Sequence, residues 1–113
     1  MNNQYFVSGK DKAHGMYHVF YRGRFDSGSC YVDDALLIDD NNLWGVKGLM
    51  EALSDAVPGY DVYGETIVTP KQWYEVGMLI QSKDKESQIA YFEADSWVQD
   101  VFKSFDCFTI IGL

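Results

Sequence analysis

Basic side chains are scarce in this 113-residue sequence, which has 9 lysines and arginines against 17 aspartates and glutamates and a formal net charge of −8. So acidic a chain is repelled by phosphate backbones and by anionic membranes, which disfavours direct nucleic-acid binding. No apolar run approaches the roughly 18 residues that span a bilayer, and no secretory leader pattern opens the sequence. We therefore expect a cytoplasmic protein whose partner is neither nucleic acid nor membrane.

Cysteine is also rare, since only Cys30 and Cys107 occur, each in an apolar, β-prone stretch. Their spacing leaves open whether they meet, and two buried, reduced thiols are the expected arrangement in a cytoplasmic protein. Cys107 follows Asp106 and could pair with a histidine as a nucleophile, but burial raises the pKa of a thiol and opposes that role. There is no G-x-S-x-G elbow and no phosphate-binding glycine loop. We predict no catalytic residue and no enzymatic activity.

Apolar residues, in contrast, are plentiful: 47% of the sequence is hydrophobic and 16% is aromatic. A chain of this length and composition can form a compact core without disulfides or metal. Strand-like runs alternate with helical periods, which predicts a single α+β domain over 1–113. We expect a mainly antiparallel sheet of about four to five strands with two to three helices packed on it.

The predicted strands are short and are separated by turn residues. A run at 5–7 is short enough for a sheet edge, and a run at 16–21 places aromatic side chains on both faces. The glycines and aspartate that follow favour a hairpin between 16–21 and 29–32. Further strands are predicted at 35–38 and within 60–68.

Two helices are indicated before residue 82. Apolar residues step by three and four over 43–57, and Asp40 or Asn42 can cap the first turn of this helix. Thr69 and Pro70 have the residue types of an N-cap and a first helical position, so a second helix is predicted to begin there.

The last twenty residues organise the expected fold. A helical period over 89–105 has a possible break at Asp95, which with Ser96 can cap a separate helix. The run 107–113 then reads CFTIIGL, almost without a polar residue. A strand without polar alternation is usually covered on both faces, so we predict that this C-terminal strand is central in the sheet.

Two patterns match metal sites incompletely. Positions one, three, six and twelve of a calcium loop are matched by Asp40, Asn42, Gly45 and Glu51. Trp44 and Gly48 occupy positions five and nine, and the following helix is predicted to begin too early for such a loop. His14 and His18 are four apart, but on a loop and a strand rather than on one helix. We predict neither a metal nor a cofactor.

The negative charge is concentrated in residues 25–65, which we call the acidic segment. It holds nine carboxylates against one lysine, whereas residues 1–24 hold one acidic and four basic side chains. We predict that a partner-binding surface in this segment is formed by Asp33, Asp34, Asp39, Asp40, Glu51 and Asp55. Another interpretation, a solvated face that only keeps the protein in solution, stays open.

The chain resembles, in size, acidity and α+β pattern, the immunity proteins that bacteria carry against toxins of contact-dependent inhibition and related polymorphic systems. The local part of the resemblance is the ending DSWVQDVFKSFDCFTIIGL, a Trp-bearing amphipathic helix that runs into an apolar strand. The resemblance assigns no individual binding residue. It implies a tight, stoichiometric inhibitor of a cognate protein toxin, often a nuclease with a basic surface.

Other functions are compatible with the same composition. A phage-encoded acidic inhibitor of a nucleic-acid-binding defence complex would imitate phosphate with its carboxylates. A non-catalytic adaptor domain would be acidic only for solubility. Gene neighbourhood separates the first of these from an immunity protein, and recovery of a basic partner from the native host separates the second. The sequence leaves the oligomeric state open.

Overall fold

A computed structural model of the chain describes residues 3–13 and 15–112, which form five strands and four α-helices. The strands are β1 (Phe6–Ser8), β2 (Tyr17–Arg22), β3 (Leu36–Asp39), β4 (Glu65–Val68) and β5 (Phe108–Gly112). The helices are α1 (Asp40–Gly45), α2 (Lys47–Ala56), α3 (Pro70–Ile80) and α4 (Lys85–Val101), and a 3-10 turn over Gly9–Asp11 follows β1. The predicted α+β class is confirmed, with one helix more than expected.

All five strands form one antiparallel sheet in the order β1-β3-β2-β5-β4. The C-terminal strand β5 is therefore interior, paired with β2 on one side and with β4 on the other, as its apolar sequence predicts. The three-residue strand β1 lies at an edge, also as expected. Leu113, the last residue of the predicted strand, lies outside the described residues.

Strand β5 is buried along its whole length because each face of the sheet is covered. Phe108 and Ile110 face the main core, which the helices close. Ile111 faces a smaller cluster under residues 23–35, which we call the covering loop. The buried hydroxyl of Thr109 donates a 2.8 Å hydrogen bond to the carbonyl of Gly23, so the loop also satisfies the polar side chain in this strand.

The predicted hairpin between 16–21 and 29–32 is wrong. Residues 29–32 belong to the covering loop, and β2 instead pairs with β3, with Phe20 opposite Leu36. The loop turns out of β2 at Gly23, whose φ of 72° is a left-handed conformation that glycine adopts readily. Cys30 then packs against the sheet face instead of joining the ladder. Residues 30–32 are apolar because they pack on one face of the sheet and cover it.

The predicted helix over 43–57 is two helices, separated at buried Val46, whose φ of −121° and ψ of 57° are not helical. The N-cap of α1 is Asp39 and not either predicted candidate, Asp40 or Asn42. Its side chain accepts hydrogen bonds from the backbone N–H groups of Asn41 at 2.7 Å and Asn42 at 3.3 Å. The break lets α1 leave the end of β3 while α2 packs on α3 and α4.

Helix α3 begins as predicted, because Thr69, the N-cap before Pro70, forms a reciprocal capping box with Gln72 in the first turn. The predicted long helix before the final strand is present as α4, without the possible break at Asp95. It starts after the N-cap Asp84. The Asp95 carboxylate does not cap a helix but accepts the indole N–H of Trp73 at 2.9 Å.

We predict that Ile110→Asp abolishes cooperative folding, whereas Ile67→Asp on the adjacent strand is tolerated. Ile110 is 1% exposed, and an unpaired carboxylate there costs several kcal/mol, a large share of a small domain's stability. Ile67 is 40% exposed on the edge strand β4, so its substitution serves as the matched control. Circular dichroism with urea titration measures both. A stable, folded Ile110→Asp variant would contradict the interior position of β5.

Candidate functional site

The structure distributes five of the six predicted acidic residues over two surfaces, and the sixth, Asp39, caps α1. Asp33 and Asp34 precede β3, whereas Asp39 and Asp40 lie at its other end, about 10 Å from the first residue of the strand. The exposed side chains of Glu51 and Asp55 lie one turn apart on α2, in a hollow that Trp44 of α1 also lines. The six therefore do not form a single acidic patch.

The first surface, which we call the Asp34 surface, is a shallow hollow of about 460 Å³ lined in part by Asp33, Asp34, Arg22 and Trp97. Arg22 offsets much of its charge, since the guanidinium lies 3.5 Å from the carboxylate of Asp34 and 3.0 Å from that of Asp100. The same guanidinium lies over the Trp97 ring at 5.5 Å. Asp33 is exposed and has no ion pair among the described residues.

Asp39 and Asp40 are both engaged within the fold. Asp39 caps α1, as described above. Asp40 lies 2.7 Å from Nε2 of His18, which is only 1% exposed on the central strand β2. With the ring neutral, Nε2–H donates to the carboxylate, and Nδ1 then lacks a hydrogen-bond partner in the described part of the chain.

A chain of hydrogen bonds continues from Asp40 to the surface. The hydroxyl of Tyr63 donates to the Asp40 carboxylate at 3.4 Å and accepts the indole N–H of Trp44 at 3.2 Å. The Tyr63 ring also lies 5.8 Å from the His18 ring. Both outer members are exposed, Trp44 by 43% and Tyr63 by 52%. The polar chain therefore connects a buried histidine with two adjacent aromatic side chains at the surface.

These groups define the second surface, which we call the Trp44 surface. Its members are Asp40, Trp44, Met50, Glu51, Asp55 and Tyr63. The hollow beside Trp44 has a volume of about 630 Å³ and also contains Lys47 and Lys83. Lys83 is engaged, because its ammonium group lies 3.2 Å from the Glu51 carboxylate.

Prediction of the site residues by charge did not include Trp44, Tyr63 or His18. Trp44 had a usable signal, because it falls outside the apolar steps Leu43, Val46 and Met50 and so had to face away from the main core. Tyr63 and His18 had none, since their partner Asp40 is 22 to 23 residues away in sequence and the contacts depend on the sheet.

The incomplete metal patterns do not form ligand sets in the described ranges 3–13 and 15–112. Asp40 and Asn42 are in helix α1 instead of a calcium loop, and no group of three or more His, Cys, Asp or Glu side chains there can hold an ion. Of the two histidines, His14 lies outside the described residues and His18 is paired with Asp40.

The cysteines are buried, free thiols, as expected. Burial raises the pKa of the Cys30 thiol, with a smaller contribution from Glu65. Burial likewise raises the pKa of Cys107, and the neighbouring Asp106 raises it further. Both changes disfavour the thiolate, the form in which cysteine acts as a nucleophile.

A separate group of exposed apolar side chains lies on α3 and α4. Tyr74 and Phe92 are each 68% exposed and Met78 is 54% exposed. Asp95 lines the same hollow as these three side chains. This group shares no residue with the two acidic surfaces, so its members provide matched controls for substitutions at Trp44 and Tyr63.

We predict that stability decreases as the pH rises above 10. Burial raises the pKa of Tyr60, and the charge of Asp61 adds to this, from an ordinary 10.0 to about 12. Between these two pH values the folded state keeps a proton that the unfolded state releases. The contribution of the Tyr60 hydroxyl to the free energy of unfolding is therefore fully present below pH 10 and is lost as the pH passes about 12. Tyr60→Phe should remove roughly 1–2 kcal/mol of that loss in urea titrations, after allowance for its partial exposure.

Tyr74→Phe is the control for this measurement, because Tyr74 is exposed. It removes the same hydroxyl from a side chain that is 68% exposed, so it shows what loss of a tyrosine hydroxyl at the surface does to the urea titration. An identical pH dependence in wild type and Tyr60→Phe would contradict the burial of the Tyr60 hydroxyl.

Comparison with known proteins adds no assignment. No protein-family model, curated protein or solved structure matches this chain. Among the helices in the described part of the chain, none combines the length and apolar character needed to cross a membrane. The functional argument therefore depends on the two acidic surfaces.

Proposed function

We propose that this chain is an immunity protein that binds and neutralises a cognate bacterial toxin in the cytoplasm by stoichiometric protein–protein interaction. The observation that carries the proposal is the acidic segment, with nine carboxylates against one lysine. Four of its carboxylates, those of Asp33, Asp34, Glu51 and Asp55, belong to exposed residues on two surfaces that also contain tryptophan.

The chemistry suits a toxin that is a nuclease. A protein that cleaves nucleic acid presents lysine and arginine side chains where it holds the phosphate backbone. Carboxylates of an inhibitor compete for those cations, accelerate the encounter and favour basic partners over acidic ones. Such steering contributes mainly to the association rate, whereas aromatic anchors contribute much of the affinity.

The test begins with a toxin encoded next to this chain in the native genome. Expressing the toxin in a susceptible strain should stop growth, and co-expressing this chain should restore it. A catalytically inactive toxin then allows the dissociation constant to be measured at low and high salt. Because the attraction is between charges, binding should weaken as salt increases.

We predict that reversing charges in the acidic segment weakens toxin binding by roughly tenfold to a thousandfold, about 1.4 to 4 kcal/mol. Asp33→Lys with Asp34→Lys tests the Asp34 surface, and Glu51→Lys with Asp55→Lys tests the α2 face. Reversals at Asp39 or Asp40 are avoided, because one caps α1 and the other binds His18.

Glu75→Lys with Asp106→Lys is the control, because it makes the same change in net charge at exposed residues outside the acidic segment. It should change the dissociation constant less than either double reversal. Equal weakening by all three variants would show that only net charge matters. Failure of the chain to protect against its neighbouring toxin would contradict the proposed function itself.

A further inference from the structure

We infer that Trp44 and Tyr63 anchor the docking of a cationic segment of the partner, with an arginine or lysine side chain placed over the Trp44 indole. This inference rests on the proposed function for the basic character of the partner. It goes beyond that function by choosing the Trp44 surface over the Asp34 surface and by assigning the anchoring contact to an aromatic pair.

The first argument is that both rings are held in place before any partner arrives. The indole N–H of Trp44 is bonded to the Tyr63 hydroxyl, which is bonded to Asp40. Asp40 in turn is bonded to the buried ring of His18 on the central strand. An exposed aromatic side chain with a fixed orientation loses little conformational entropy on binding, which is typical of interface anchors.

The second argument is charge complementarity. Three carboxylates lie near the two rings: that of Asp40 accepts the Tyr63 hydroxyl, and those of Glu51 and Asp55 line the hollow with Trp44. Two ammonium groups oppose them, and that of Lys83 is bonded to Glu51. The excess is negative, and it surrounds an aromatic face that attracts cations through its quadrupole. A guanidinium fits this combination well, because it stacks on a ring while its N–H groups reach carboxylates.

The third argument concerns Gly45, the exposed neighbour of Trp44 in α1. A Cβ atom added at Gly45 would meet no other atom within 4 Å, and its φ is not in the left-handed region. Gly48 in α2 is different, because a Cβ there would lie 2.7 Å from side-chain oxygens of Asp84 and Ser87. Glycine is disfavoured against alanine within a helix, and no close contact among the described residues requires a glycine at position 45. A bare backbone beside an exposed indole allows close approach by a partner.

The chain provides its own reporters for a test, since its three indole N–H groups have different surroundings. The indole N–H of Trp44 reports on the Trp44 surface. The indole N–H of Trp97 donates to the Asp34 carbonyl at 2.8 Å and therefore reports on the Asp34 surface. That of Trp73 is bonded to Asp95, and its ring is 1% exposed in the core. In an NMR spectrum of the ¹⁵N-labelled protein, an octa-arginine peptide can be titrated against all three at once.

The expected result at about 20 mM salt, where charges are weakly screened, is a shift of the Trp44 indole signal larger than that of Trp97, with Trp73 unmoved. Trp44→Ala should weaken octa-arginine binding at least about tenfold, and Tyr74→Ala, which removes a more exposed ring elsewhere, less than about twofold. Trp44→Phe keeps an aromatic ring but loses the hydrogen bond to Tyr63. Its affinity for octa-arginine should therefore lie between those of Trp44→Ala and Tyr74→Ala.

Gly45→Leu separates binding from stability. Because the space around a Cβ at this position is open, the variant should keep or raise the thermal midpoint of the wild type. It should nevertheless weaken octa-arginine binding several-fold, because the side chain occupies the surface beside Trp44. Unchanged affinity in both Gly45→Leu and Trp44→Ala would overturn the inference.

The remaining outcomes distinguish this inference from the proposed function. If the peptide shifts the Trp97 indole signal and leaves the Trp44 signal unmoved, the choice of the Trp44 surface is wrong. The chain could still protect cells against the toxin in that case. A peptide that shifts neither signal would also overturn the inference. Loss of toxin protection together with the expected Trp44 shift would contradict the immunity function and leave a cation-binding surface in place.

Discussion

The aromatic cluster around Phe108 is the contact on which the remaining structure depends. The Phe108 ring stacks on the Phe20 ring, with centroids 5.2 Å apart. It makes T-shaped contacts with the rings of Trp73 at 5.6 Å and Trp97 at 5.9 Å. These four side chains bring together two neighbouring strands, β5 and β2, and two helices, α3 and α4. Each indole also has a hydrogen-bond acceptor for its N–H, so the cluster gains aromatic contact area without leaving a buried donor unsatisfied.

Helix α4 transmits this packing to the edge of the sheet and to one acidic surface. The Glu93 carboxylate accepts backbone N–H groups of Gln4, Tyr5 and Phe6 at 2.8 to 3.1 Å, which fixes the start of β1. One turn further on, Trp97 holds the backbone at Asp34. The Trp44 surface is attached to the core through α1 and the central strand instead. Carboxylates that are close in sequence thus become fixed to different parts of the core, which explains why they form two surfaces.

The sequence predicts the parts of this fold that depend on local patterns. The apolar run before Leu113 was sufficient to place β5 inside the sheet, and Thr69 with Pro70 was sufficient to start α3. The hairpin partner was misassigned because 29–32 and 35–38 are similarly apolar, and only burial decides which pairs and which covers. At the site, charge identified the acidic segment, but the same count could not show that Asp39 and Asp40 serve the fold while Trp44 and Tyr63 remain exposed.

The His18–Asp40 pair is difficult to explain by stability alone. A ring that is 1% exposed with an unpartnered Nδ1 in the described part of the chain costs about 1–3 kcal/mol, whereas an aliphatic side chain at this position would bury no polar atom of its own. The bond to Asp40 offsets part of that cost. The pair holds the Asp40 carboxylate as a fixed acceptor for the Tyr63 hydroxyl. The Tyr63 hydroxyl in turn accepts the Trp44 indole N–H and fixes its orientation. The proposed anchoring role of Trp44 and Tyr63 would account for a buried polar network in which the histidine is incompletely hydrogen-bonded.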